Sequence, residues 1–139
     1  MIEGYLGEHR FLRLGTVGEG GGPVVHTVGY VAEGSVVYFA TERRTRKAQN
    51  IAREPRVAYT VDREYARVSE IRGVQMIGRA FEVTDIAEVS RVMGRFAVRF
   101  PELATLKFEG APVIFRVEPV LGSFIDNSKG FGHKEDCSY

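Results

Sequence analysis

The segment Val36-Val37-Tyr38-Phe39-Ala40-Thr41 has the β-branched and aromatic make-up of a buried strand. It runs without a spacer into Glu42-Arg43-Arg44-Thr45-Arg46-Lys47 and then a helical stretch, Ala48 to Arg53, which Pro55 stops. Ala48, Ile51 and Ala52 give this short helix one apolar face, so its start must be pinned against the sheet. Arg43, Arg44, Arg46 and Lys47 then crowd a first turn where free backbone N–H groups and the helix dipole already disfavour positive charge. A solvated basic run is one reading. A bound anion is the other, and the pinned start favours it. A phosphate fits best, because the N–H groups, the hydroxyls of Thr41 and Thr45, and the side chains of Arg44, Arg46 and Lys47 can converge on its oxygens.

The rest of the chain reads as antiparallel strands. Phe11 to Val17 alternates, Gly18-Glu19-Gly20-Gly21-Gly22-Pro23 turns, and Val24 to Ala32 forms the second arm of a hairpin. That glycine cluster leads from strand to strand, so it is a turn and not a dinucleotide loop, which must open a helix. Val57 to Val61 is a further strand, Asp62 to Arg67 a polar link, and Val68 to Val83 a long strand with bulges or bends expected at Gly73 and Gly78. Asp85 with Glu88 announces a second helix whose stripe Ile86, Val89, Met93, Phe96 and Phe100 is expected to pack in the core. Arg91, Arg95 and Arg99 read as its solvated face. Val113 to Val117 reads as the last barrel strand, leaving the segment from residue 122 onward as a tail. Tight antiparallel turns with helices at only two crossings predict a mainly β, α+β fold, a small Greek-key barrel with two or three short helices.

With 139 residues the chain is expected to be one domain, residues 1–139. Its formal net charge of +1 argues against general nucleic-acid binding, because the cations are local. The single cysteine, Cys137, cannot form an internal disulfide, which points to a reducing cytoplasm. The first residues lack the basic-then-apolar pattern of a signal peptide, and no uncharged apolar run is long enough to span a bilayer. His133 and Cys137 are spaced like two metal ligands on a helix, but no second pair completes a zinc site, so no metal is assigned.

Phe39-Ala40-Thr41, Thr45-Arg46-Lys47-Ala48, Asn50-Ile51 and Glu54-Pro55-Arg56-Val57, followed by Gly73 to Ala80, resemble the FMN-binding split-barrel proteins related to pyridoxamine 5'-phosphate oxidase. The likeness runs from Phe11 to Glu118. It implies a split barrel that holds FMN, with the phosphate on Thr41, Arg44, Thr45, Arg46 and Lys47 and the ring along the strand carrying His26, Thr27 and Val28. It places Gln75 near the cofactor, where a neutral amide can hydrogen-bond flavin or phosphate. It also implies a homodimer with the cofactor at the interface, covered by a partner's tail, for which Asn127, Lys129 and Phe131 between two glycines are suited. The Arg-Xaa-His substrate motif and the tryptophan-containing end of the true oxidases are absent, so the vitamin substrate does not carry over. The expected function is a flavin-dependent oxidoreductase acting on a small molecule. Alternatives are a deazaflavin enzyme using Arg43 or Lys129 as extra cations, a haem-binding barrel with His26 or His133 as axial ligand, and a non-enzymatic flavin carrier or sensor.

Overall fold

The computed structural model describes residues 1–107, 110 and 112–139. Its strands are β1 (Phe11–Val17), β2 (Pro23–Glu33), β3 (Val36–Glu42), β4 (Arg56–Val61), β5 (Arg72–Glu82), β6 (Pro112–Asp126) and β7 (Lys134–Ser138). They pair in the order β3-β2-β1-β4-β5-β6-β7, all antiparallel, and a further β3–β6 pairing closes six of them into a barrel. Because β4 returns beside β1 after the β1-β2-β3 meander, the connection is a Greek key. Inward side chains follow the alternation read from the sequence: Leu12, Leu14, Val28, Tyr30, Val37, Phe39, Tyr59, Val74, Met76 and Phe115 fill the interior.

Three α-helices cover the openings. α1 (Ile2–Glu8), which the strand patterning did not anticipate, sends Ile2, Tyr5 and Leu6 into the barrel core. α2 (Arg46–Arg53) buries Ala48 and Ile51 as expected, yet Ala52 is exposed and Asn50 is buried in its place. α3 (Ile86–Arg99) is capped by Asp85, whose carboxylate accepts from Glu88 N at 3.0 Å. Its stripe is only partly core: Val92 and Phe96 are buried, whereas Ile86 is 84% exposed and Met93 is 40% exposed. The burial stripe has rotated by one position, so Val92 replaces Met93 as the side chain between Val89 and Phe96.

Two strand limits differ from the sequence reading. Val68–Glu70 is a 3-10 turn and β5 starts at Arg72. Gly78 marks a true bulge: the β5–β6 register shifts between Ile77 and Gly78, and a Cβ at Gly78 would stand 2.5 Å from the Glu118 carbonyl oxygen. Gly73 shows no register shift, and its role is a close approach, with a Cβ there meeting the Val61 carbonyl oxygen at 3.0 Å. The last barrel strand does not end at Val117. β6 runs on to Asp126 and turns back as β7, so the expected tail is a hairpin arm.

Candidate functional site

α2 begins where β3 ends, and Thr45 joins them. Its Oγ1 accepts from Ala48 N at 3.4 Å and donates to the Glu42 carbonyl at 2.9 Å. With that proton committed, the hydroxyl of Thr41, 3.0 Å away, is the donor of the Thr41–Thr45 pair. The two threonines predicted to share a ligand are therefore already in contact. Of the four cations, Arg43 is neutralised by a bidentate pair with Glu82, both contacts at 2.9 Å. Glu42 is itself engaged; among the other described carboxylates none pairs with Arg44, Arg46 or Lys47, and the first turn holds no acidic side chain. Lys47 is half-buried, and burial holds its ammonium below the usual lysine value. The α2 start is thus rich in positive charge, and its Arg46 and Lys47 N–H groups make no hydrogen bond to described residues.

His26 lies beneath the same helix. Its Nε2 is 3.1 Å from Thr16 Oγ1, which accepts from Asn50 Nδ2 at 3.0 Å, while Asn50 Oδ1 accepts from Arg53 at 2.9 Å. Burial, then Lys47 and Arg46, push the imidazole below its usual pKa. The polar chain Arg53–Asn50–Thr16–His26 closes the barrel mouth, and two of its members, Thr16 and Asn50, are only 2% exposed. Sequence reasoning missed both as site residues. The signal available was a polar amide on the apolar face of a short helix.

β2 and β3 pair only from Tyr30↔Phe39 to Glu33↔Val36. Below Tyr30 they part, so the β3-facing edge of β2 from Pro23 to Gly29 has no ladder partner. This is the split in the barrel. Tyr30 N donates to the Arg10 carbonyl on the β1 side and the direction alternates along the strand, so the backbone groups of Thr27 and Gly29 face the open edge while those of His26 and Val28 face β1; the Thr27 side chain is exposed and that of Val28 is buried. At the top of the split is an apolar cavity of about 710 Å³ whose lining includes Gly29, Ala40, Thr41, Thr45, Phe96 and Phe100. Gly29 is required here, because a Cβ would stand 2.9 Å from Cζ of Phe100. The cavity and the cation group share Thr41 and Thr45.

Gln75 is exposed on the outer barrel face, in a cross-strand row with Thr27, Arg13, Thr60 and Ser123. It does not reach the α2 start within one chain. Nor do Asn127, Lys129 and Phe131: β6 begins beside Glu42 and ends beside Arg72, which puts their turn at the opposite end of that strand. Asn127 has a structural task there, donating to the Val68 carbonyl at 2.8 Å and accepting from Gly132 N at 2.9 Å. Gly130 and Gly132 adopt φ of 127° and 74°, so they serve the turn itself. Phe131 is 88% exposed. Among the described residues no three His, Cys, Asp or Glu side chains gather as metal ligands, and no helix is long and apolar enough to cross a membrane.

Comparison with known proteins agrees with this geometry. The chain is 35% identical over 97 residues to a UPF0306 protein of Klebsiella pneumoniae, covering 70% of this chain and 63% of that protein. It therefore spans somewhat less than two thirds of the relative's length. Among solved structures it resembles a FAD-binding protein of Mesorhizobium loti at 20% identity, with 88% of this chain and 90% of that chain covered and a TM-score of 0.72. It resembles the haem storage protein HutZ of Vibrio cholerae equally well, at 21% identity, 85% and 87% coverage and a TM-score of 0.72. Both likenesses speak for the split-barrel fold. The family model for pyridoxamine 5'-phosphate oxidase matches residues 2–125, nearly the whole barrel, and the chain belongs to that family.

Proposed function

We propose that the protein binds FMN, with the phosphate at the start of α2, and acts as a flavin-dependent oxidoreductase on a small molecule. The observation that carries this reading is the group Arg44, Arg46 and Lys47, gathered on a helix start whose first turn holds no acid and whose Arg46 and Lys47 N–H groups make no described hydrogen bond. A phosphate dianion supplies the opposite charge. The unpaired edge of β2 offers backbone donors and acceptors to the polar rim of the ring system, as the family likeness implies. The flavin supplies the hydride or electron chemistry, and the chain supplies binding, orientation and a dry wall.

The reading includes a homodimer. Val25, Ala58, Ile77 and Leu121 fall in one cross-strand row on the outer face, with Val25 70% and Ile77 53% exposed. Such a row needs cover, and two-fold pairing is the commonest form. Asn127, Lys129 and Phe131, remote from α2 in their own chain, reach a flavin only as a partner's turn.

Absorption of the purified protein separates flavin from deazaflavin and haem. Fluorescence titration with FMN then tests the site: replacing Arg46 and Lys47 by alanine is expected to weaken binding well over tenfold, since each charge-assisted bond contributes about 1.5–3 kcal/mol. Unchanged affinity in that double variant would sink the reading. NAD(P)H turnover divides an enzyme from a carrier, and sedimentation equilibrium tests the dimer.

A further inference from the structure

α3 has two lined faces. Met93, Phe96, Ala97 and Phe100 wall the apolar cavity beside α2. Arg91, Gly94, Arg95, Val98 and Arg99, on the other side of the helix, wall a separate cavity of about 540 Å³ between α1, β2 and α3. Its remaining walls include Leu6, Tyr30 and Val31, all buried side chains.

Three guanidiniums line this second cleft, and two of them pair with Glu33 of β2. Glu33 accepts from Arg91 at 3.0 and 3.1 Å and pairs with Arg95 at 2.6 Å. Arg99 Nη2 donates to the carbonyls of Gly7 and His9, both at 3.1 Å, which are uncharged acceptors. On α3 and after it, Glu88 and Glu102 are held by Arg116 and Arg10, and Glu8 of α1, between the cleft residues Gly7 and His9, is exposed and forms no ion pair with a described arginine. Three positive charges against one negative leave two in excess. Arg95 and Arg99 make no further hydrogen bond to described residues, so N–H donors remain on both heads. His9 also lines the cleft; its Nδ1 donates to the Tyr5 carbonyl at 2.8 Å, leaving Nε2 unengaged.

If these arginines only docked α3, an equal number of acids and a closed surface would serve better. Instead the helix carries Gly94 at the centre of the face, where an added Cβ meets nothing within 4 Å. Glycine in mid-helix disfavours the helix relative to alanine, and here the space it leaves is open cleft. We propose that this cleft is a second binding site, for a phosphate monoester carried on an apolar body: the dianion matches the two excess charges, and Leu6, Val31 and Val98 take the body. The site is independent of the FMN reading, because it lies on the opposite face of α3.

The test titrates the full chain with phenyl phosphate by calorimetry, beside inorganic phosphate and benzoate at equal ionic strength. Phenyl phosphate is expected to bind saturably and more tightly than either. Arg95→Gln should weaken it by roughly tenfold, the loss of one charge-assisted bond. Gly94→Leu should block it while melting at or above the wild-type temperature, since leucine favours the helix and fills open space. Wild-type affinity in Gly94→Leu overturns the proposal. So does a loss that appears in the Arg46→Ala/Lys47→Ala protein and not in the α3 variants, which would assign the anion to α2. Equal affinity for inorganic phosphate would remove the apolar body from the proposal.

Discussion

The first turn of α2 and the outer face of α3 are built from the same cations, and they are treated differently. On α3, Arg91 and Arg95 close on Glu33, and Arg99 ties down the carbonyls at the end of α1, so the charges dock the helix onto β2 and α1. Just before α2, Arg43 pairs with Glu82 of β5. Arg44, Arg46 and Lys47 stand beside the helix dipole in a first turn that holds no acid. The first arrangement contributes to folding through Glu33 and the α1 carbonyls, and still leaves donors on Arg95 and Arg99 for the proposed second site. The second arrangement opposes folding slightly, and a chain keeps such a group where a ligand supplies the opposite charge.

The comparison can be pressed hardest at Asn50, which anchors α2 from beneath. Asn50→Ala takes the amide donor from buried Thr16, which keeps only His26, and the acceptor from the exposed Arg53 head, and is expected to cost about 1–2 kcal/mol in urea unfolding. A loss near zero would mean that the mouth is wet and the network incidental. Next is Glu33→Gln on the α3 side. Its carboxylate is held below the usual value by the Arg91 hydrogen bonds and both guanidiniums. The stabilisation it contributes is present above the unfolded carboxylate pKa and fades as pH falls through the lower folded value. The variant should lose about 1 kcal/mol at neutral pH, discounted because both arginines are half-exposed, and should flatten the acid limb of the stability profile. FMN affinity should not move.

His26 gives a local reading of the same contrast. Its pKa is lowered in the folded chain, so folding favours the neutral ring, and stability falls as pH drops below the unfolded histidine value. An anion bound beside Arg46 and Lys47 offsets their repulsion, so the His26 titration followed by NMR should shift upward when FMN is added. The smallest effect is expected from Arg46→Ala on stability alone: a melting temperature unchanged or slightly raised at low salt, and insensitive to the variant at high salt. A clear loss there would show that Arg46 holds the fold and would undo the contrast with α3.

Much of this was legible beforehand. The alternating strands, the Asp85 cap, the bulge at Gly78 and the start of α2 all came from patterns spanning a few residues, where side-chain period and backbone preference decide. The second arm of the β6–β7 hairpin was hidden because Lys134-Glu135-Asp136-Cys137-Ser138 is exposed at all five positions and carries no inward stripe. α1 was hidden for the opposite reason. A helix of 7 residues, about two turns, with three buried side chains is too short to show a period, and it forms because the barrel interior takes Ile2, Tyr5 and Leu6.

The sequence by itself determined the antiparallel barrel, the cation-rich start of α2, the paired threonines on it and the family to which they point. It could do so because each depends on neighbours a few positions apart. Only the tertiary structure decided which cations are spent. Glu82 reaches Arg43 from β5 and Glu33 reaches Arg91 from β2, across 39 and 58 residues of chain. The same closure opened the edge of β2 below Tyr30 and sent the Asn127 turn to the far end of β6. Charge compensation and the shape of a cleft are properties of what the fold brings together, and no local pattern carries them.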